Sequence, residues 1–178
     1  KILLGIKTSP DITSPPQLVL WDVETLQEIT PEQLTNCRTA VFSREGSELL
    51  SIDNDGLIGI WDTTHLTDNN YTPIKFGGPS TFRAQIASSP DGQWIASAEG
   101  TLVSLWQRGN FTDPVHTFSG HEGNITSLQF SSDSKRLLTA SRDMTARIWS
   151  LGSHDPPLVL RGGHTASLNS SSFDPTGK

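Results

Sequence analysis

Short runs in which apolar and polar residues alternate make up most of this chain. Thr126, Leu128 and Phe130 alternate with polar neighbours, and apolar runs follow after short breaks. The breaks carry turn-forming residues, such as Ser89-Pro90-Asp91-Gly92 and Asn54-Asp55-Gly56. A period of two is typical of strands, and no stretch sustains the 3.6-residue period of a helix. The pattern therefore predicts many short strands joined by tight turns.

Four of these runs end in the same way, with apolar residues leading into a tryptophan: Trp21, Trp61, Trp106 and Trp149. The tryptophans are 40, 45 and 43 residues apart. Counting back from the last three predicts one ungapped register, with Leu49, Trp94 and Leu137 twelve residues before and Asp55, Gly100 and Asp143 six before. Three or four antiparallel strands every 40 to 45 residues predict the blades of an all-β propeller.

The repeat divides the chain into units. We expect a partial blade over 1–22, blades over 23–62, 63–107 and 108–150, and a partial blade over 151–178. The sequence starts near a second strand and stops inside a first turn, so a fragment of a longer propeller is favoured. In the alternative, a closed ring of four blades, the strand that ends near Phe173 completes the first blade.

The segment from Gly120-His121 to Trp149 resembles the WD-repeat family, and Gly163-His164 opens a further unit in the same way. The resemblance implies a propeller of about seven four-stranded blades. It also implies that His121, Asp143 and Trp149 form a structural hydrogen-bonded set within their blade. The family's Ser or Thr is expected three residues before Asp143, where this chain has Ala140, so the set is expected to have three members.

Other units hold decayed copies of this set. The unit ending at Trp61 keeps Asp55 but has Gln33 in place of the histidine, and the unit ending at Trp106 has Ser97 at the hydroxyl position but Gly78 and Gly100 for the histidine and aspartate. These units keep their strands although they have lost members of the hydrogen-bonded set, which indicates that the set stabilises a blade and does not catalyse a reaction. A catalytic alternative would recruit Ser141, but no Gly-x-Ser-x-Gly turn presents it.

Composition and motifs narrow the chemistry. The net charge is -6 and no basic run occurs, which disfavours a nucleic-acid partner. Cys37 is the single cysteine, so an intramolecular disulfide is excluded and a cytoplasmic setting is favoured. We interpret Cys37 as a small buried residue. No apolar run is long enough to span a membrane. Asp53-Asn54-Asp55-Gly56 has a trace of a calcium loop but reads better as a turn. We predict no metal and no cofactor.

A non-catalytic protein-interaction scaffold, or a sensing module within a larger multidomain protein, is the favoured function. The dense repeats resemble bacterial WD-repeat arrays, which are often fused to NTPase or kinase domains. Other proteins or peptides are the expected partners, because loops on a rigid scaffold are where binding residues usually lie. The alternative is a propeller-type enzyme, a hydrolase or lyase, whose site at the central channel lies in blades that this sequence lacks.

The candidate partner-binding face combines turn residues with the neighbours of the His and Asp positions. Its members are Asn54, Glu99, Glu122, Arg142 and Met144. Arg and Met are enriched in the cores of interfaces, so Arg142 and Met144 are expected to be the strongest contact point. Trp94 is interpreted as core between blades, with a ligand platform as the alternative.

Overall fold

Fifteen β-strands form this structure, a computed structural model that describes residues 1–7, 17–30, 34, 36–66, 71–75, 84–153 and 155–174. Within these residues there is no α-helix, as the alternating pattern predicts. The chain divides into two compact units, Lys1–Ser80 and Thr81–Lys178. Each unit contains two antiparallel sheets whose strands follow one another in sequence order.

The first unit holds a three-stranded and a four-stranded sheet. The three-stranded sheet consists of β1 (Ile2–Lys7), β2 (Gln17–Asp22) and β3 (Gln27–Glu28). The four-stranded sheet consists of β4 (Cys37–Phe42), β5 (Glu48–Asp53), β6 (Leu57–Asp62) and β7 (Tyr71–Lys75). Trp61 of β6 packs in one buried cluster with Leu18 and Leu20 of β2, so the tryptophan joins its own sheet to the preceding one.

The second unit holds two four-stranded sheets. One consists of β8 (Gln85–Ser88), β9 (Trp94–Glu99), β10 (Leu102–Gln107) and β11 (His116–Phe118). The other consists of β12 (Ile125–Phe130), β13 (Arg136–Ser141), β14 (Ala146–Ser150) and β15 (Leu158–Leu160). Trp149 is buried with Val103 and Leu105 of β10, which repeats the packing of Trp61 in the first unit.

Each repeated tryptophan is the penultimate residue of its strand, and the outermost strand follows it in sequence. A sheet is therefore completed by residues of the next sequence unit. The sheet that contains Trp61, for example, spans 37–75, whereas the repeat counted from the tryptophans spans 23–62. Because consecutive strands are antiparallel, the turn between the second and third strands of a sheet lies at the opposite end from the turn between the first and second.

The ungapped register is wrong in the third unit. Leu49 and Leu137 stand opposite Trp61 and Trp149 across the second hairpin, but Trp106 stands opposite Ile95. The β9–β10 turn has only Gly100 and Thr101 between its strands, one residue fewer than the β5–β6 turn. Trp94 therefore does not occupy the position of Leu49. It is half-buried and packs at the margin of the core cluster of the second unit.

Candidate functional site

His121, Asp143 and Trp149 come together in the last sheet, each placed by a different element. His121 lies in the loop that leads into β12, Asp143 in the turn from β13 to β14, and Trp149 near the end of β14. Nδ1 of His121 lies 2.7 Å from Oδ2 of Asp143. The imidazole ring meets the indole of Trp149 nearly edge-on, with ring centroids 6.2 Å apart. The histidine side chain is wholly buried.

The set has four members, which corrects the sequence-based count of three. Thr139, four residues before Asp143, supplies the hydroxyl group that was expected at Ala140. Its Oγ1 lies 2.7 Å from Nε2 of His121 and accepts a hydrogen bond of 3.0 Å from Nε1 of Trp149. Counting from the tryptophan finds this residue, because Thr139 and Ser51 both stand ten residues before theirs.

These contacts agree with one direction for the protons shared along the set, and the carbonyl of Arg147, 3.4 Å from the Thr139 hydroxyl, is the more distant acceptor. The indole N–H of Trp149 donates to Thr139, so the threonine hydroxyl is free to donate to Nε2 of His121. The imidazole then carries its proton on Nδ1 and donates it to Asp143. Hydrogen bonds in such a chain polarise one another, and each polar group of the set has a partner. The arrangement holds β13, β14 and the preceding loop in one geometry.

The carboxylate of Asp143 ends this chain and closes its own turn. Its Oδ1 accepts from the amide and the hydroxyl of Thr145 at 2.9 and 2.6 Å, and its Oδ2 accepts from the amide of Glu122 at 3.0 Å as well as from His121. Partial burial alone would raise the pKa of Asp143, but the hydrogen bonds from Thr145, His121 and the Glu122 amide outweigh burial and hold that pKa well below its usual range. Asp143 is therefore a charged structural acceptor.

Burial has the opposite consequence for its partner. Removal of the imidazole from water lowers the pKa of His121, and the hydrogen bond and charge of Asp143 raise it only in part. The ring stays neutral at neutral pH, in agreement with the proton assignment. Both ring nitrogens are already committed to protein partners, which leaves no lone pair for a substrate or a metal.

Within the described residues, two other sheets contain the hydroxyl–tryptophan part of the set. Nε1 of Trp61 donates to Oγ of Ser51 at 2.9 Å, and Nε1 of Trp106 donates to Oγ of Ser97 at 3.2 Å. Gly59 permits the first bond, since a Cβ there would lie 2.8 Å from both bonded atoms. Of the residues expected at the missing positions, Gln33 and Gly78 lie outside the described residues.

Ser141 is not arranged as a nucleophile. Its hydroxyl is buried and donates to the carbonyl of Gly123 at 2.7 Å, and its oxygen accepts from the amide of Asp143 at 3.1 Å. Nε2 of His121, the atom that would serve as its base, is bonded to Thr139. The residue types of a catalytic triad are therefore present here in a different connectivity.

The residues of the candidate partner-binding face fall into two groups. Asn54 lies in the first unit, where its amide side chain bonds Arg38 and Asn36. Glu99 is not a turn residue, because the shorter β9–β10 turn makes it the end of β9, opposite Leu102. It therefore corresponds in register to Asp53 and Ser141, and its predicted equivalence to Asn54 and Arg142 is wrong.

The remaining three members of the face lie near one another in the last sheet. Glu122, Arg142 and Met144 are exposed, with 44% of Met144 accessible to solvent. Met144 adopts a φ of 67°, a left-handed conformation that turns the chain between β13 and β14. Glu122 and Met144 line an open pocket of about 300 Å³, whereas Arg142 lies outside that pocket, beside Gly123.

The segment Asp53-Asn54-Asp55-Gly56, which has a trace of a calcium loop, forms a turn between strands that Asp53 stabilises. Oδ1 of Asp53 accepts from the amides of Asp55 and Leu57 at 2.9 and 2.8 Å, which closes the β5–β6 hairpin. The part of the chain that the structure describes contains no group of three His, Cys, Asp or Glu side chains placed to hold a metal ion. In the same residues no helix has the length and apolar character needed to cross a membrane.

Cys37 is buried at the start of β4, the place that Ile125 takes in β12. Burial raises the pKa of its thiol to about 11.

Because the thiolate is the reactive form, we expect Cys37 in the folded protein to resist iodoacetamide at pH 8 and to react only after unfolding in urea. Mass spectrometry of the alkylated protein, native and unfolded, measures this. Full labelling of the native protein would contradict the burial of this residue.

The comparisons with known proteins agree with this geometry. Residues 112–150 match the family model described as WD domain, G-beta repeat. Periodic tryptophan protein 2 of Saccharomyces cerevisiae is 30% identical over 145 residues, which cover 72% of this chain and 14% of that protein. Target of rapamycin complex subunit LST8 of the same yeast is 38% identical over 122 residues, which cover 68% of this chain and 38% of that protein.

A solved structure shares the fold. A chain of the structure titled Crystal Structure of Mitotic Checkpoint Complex superimposes with a TM-score of 0.72 at 18% identity, over 89% of this chain and 49% of that chain. This likeness concerns the fold alone. This chain spans well under half the length of the two yeast relatives. Its antiparallel four-stranded sheets, repeated tryptophans and matching repeat model identify it as a member of the WD-repeat family of β-propellers.

Proposed function

We propose that this chain is part of a non-catalytic scaffold that binds other proteins or peptides. One observation carries the proposal: the His121–Asp143 pair, which has the residue types of an acid–base site, directs its polar atoms inward to Thr139, Thr145 and the Glu122 amide. The network rigidifies the turn that presents exposed residues to solvent. A rigid frame with exposed loops suits binding better than chemistry.

The relatives support this reading. The name of one yeast relative describes it as a subunit of the target of rapamycin complex, and the structural neighbour is part of a mitotic checkpoint complex. Membership of an assembly is what an interaction scaffold requires. We further propose that the full protein carries more domains or blades and that it binds neither nucleic acid nor membrane. The net charge of -6 without a basic run supports the exclusion of nucleic acid, and the lack of a long apolar run supports the exclusion of membrane.

The contact surface that we propose is the exposed β13–β14 turn, with Arg142 and Met144 as its main contacts. Both side chains are exposed, and the Asp143 between them fixes the turn through its hydrogen bonds. A partner that covers this turn would gain apolar contact from the methionine and hydrogen bonds from the guanidinium. Glu122 lies at the rim of the same surface. Asn54 and Glu99 stay proposed contact residues, each in its own sheet.

The test is the double variant Arg142→Ala with Met144→Ala in the full-length protein. Partner capture should fall at least tenfold, which corresponds to about 1.4 kcal/mol, while the melting temperature stays nearly unchanged. Quantitative pull-down and a thermal melt measure the two quantities. The matched control is Ser132→Ala with Lys135→Ala, a pair of exposed residues in the turn at the opposite end of the same sheet. Equal capture by both variants would reject this surface.

A further inference from the structure

The pocket beside the β13–β14 turn brings two arginines together. Its volume is about 300 Å³, and Arg147, Arg161 and His164 line it together with Met144, Glu122 and Asp143. Arg161 directly follows β15, and Arg147 lies on β14 opposite Val159 of that strand. Strand pairing therefore brings two arginines to one opening, although fourteen residues separate them in sequence.

Arg147 is held in place and still has an unmet hydrogen-bond donor. Its guanidinium lies against Gly120, where an added Cβ would be 2.6 Å from Nη1, and its Cζ lies 5.9 Å from the ring centroid of Trp149. Among the described residues its buried Nε has no hydrogen-bond partner. A buried donor without a partner is unfavourable, so a ligand oxygen that accepts from it would remove that penalty.

The two carboxylates in the lining balance the two arginines in formal charge, but among the described residues neither carboxylate pairs directly with an arginine. Asp143 directs both oxygens to four donors of its own network, and neither arginine is among them. Glu122 is the other acidic residue in the lining, and it is exposed to solvent. No ion pair joins either arginine to a carboxylate in the part of the chain that the structure describes.

We propose that this pocket binds an oxyanion, a carboxylate or a phosphate group, on an acidic peptide segment of a partner protein. Guanidinium groups recognise both oxyanions through paired N–H donors, and a fixed guanidinium loses little entropy on binding. Met144 offers the adjoining apolar contact at the rim. This assignment rests on the proposed function, because it names the chemistry that the scaffold recognises in its partner.

Three degenerate peptide libraries with a fixed central phosphoserine, glutamate or serine serve as probes, with the full-length protein as the receptor. Fluorescence polarisation at low and moderate salt should show the phosphoserine and glutamate libraries binding at least fivefold more tightly than the serine library. The difference in affinity between the phosphoserine and glutamate libraries shows whether the pocket prefers a phosphate or a carboxylate. Arg161→Gln should abolish the preference, and Lys135→Gln, which removes a positive charge at the opposite end of the sheet, should leave it intact.

Glu122→Gln provides a test of sign, because removal of the opposing carboxylate should tighten binding of both acidic libraries about twofold or more. Arg147→Lys should weaken binding, since it keeps the charge but loses the planar fork. Equal binding of all three libraries, or equal losses in Arg161→Gln and Lys135→Gln, would overturn the pocket assignment. Binding of anionic lipid vesicles through Arg161 without binding of the acidic libraries would also overturn it.

These results remain separate from the test of the scaffold itself. If Arg161→Gln leaves partner capture and library binding unchanged while Arg142→Ala with Met144→Ala abolishes capture, the protein is a scaffold that does not use this pocket. If the acidic libraries bind through Arg161 but no partner is captured, the pocket assignment stands and the proposed function fails.

Discussion

Thr139→Val should lower the free energy of unfolding by about 3 kcal/mol. The change keeps the shape of the side chain and removes only the hydroxyl, which is wholly buried and joins two other buried groups. Without it, Nε1 of Trp149 and Nε2 of His121 both lose a partner at once. Each unsatisfied buried group is unfavourable by roughly 1–3 kcal/mol, and neither group can reach water at this depth. Urea denaturation followed by tryptophan fluorescence measures the change.

Ser97→Ala is the matched control within the same compact unit. Its hydroxyl accepts a hydrogen bond from Trp106, and among the described residues no histidine bonds it. The expected loss is therefore about 1 kcal/mol, close to that of a single hydrogen bond. Similar losses for the two variants would show that the bridge from Trp149 to His121 adds nothing to a simple hydroxyl–indole bond.

Sequence reasoning located the strands and the tryptophans because their pattern is local. Alternation of apolar residues places side chains on one face of a strand, and this holds whatever the rest of the chain does. The WD-repeat family and the all-β propeller fold predicted from this pattern are confirmed. Cys37 is buried, as the sequence predicts.

The errors come from turns, where one residue more or less shifts every alignment that crosses them. Counting back from Asp143 assigned the hydroxyl position to Ala140, and counting back from Trp106 assigned the place of Leu49 to Trp94. The structure shows Thr139 and Ile95 at those positions. Side chains alternate between faces along a strand, so a slip of one residue moves a position to the opposite face. The correct register depends on which residues pair across each hairpin, and this pairing is not visible in the local sequence.

The arginine side of the pocket could not be predicted from the sequence. Glu122 and Met144 are predicted neighbours in the candidate face, but Arg161 belongs to no shared motif, and the pairing of β14 with β15 brings it to the same opening. Arg161 follows a short edge strand with no distinctive pattern of its own. Sites made by strand pairing rather than by contiguous residues leave little trace in local sequence.

Asp143→Ala should also lower the free energy of unfolding by about 3 kcal/mol at pH 7. It removes an acceptor of four hydrogen bonds and leaves the Nδ1–H of His121 buried without a partner. Asp133→Ala is the control, because Asp133 closes an equivalent turn but is exposed, and its loss should be clearly smaller. Urea denaturation at pH 7 compares the three proteins.

The same variant makes a prediction about acid sensitivity. The pKa of His121 is lower in the folded protein than its ordinary value of 6.5, so the unfolded chain binds the proton first and stability falls as the pH drops below about 6.5. Asp143 opposes this shift, since its hydrogen bond and charge raise the pKa of His121. Asp143→Ala should therefore lose more stability than the wild type between pH 7 and pH 5.

The depressed pKa of Asp143 stabilises the wild type above pH 3.8, and that contribution disappears as the pH falls further. Urea titrations of both proteins in steps from pH 7 to pH 3 separate the two effects. If the stability of Asp143→Ala depends less on pH than that of the wild type between pH 7 and pH 5, His121 does not titrate as a buried, neutral ring.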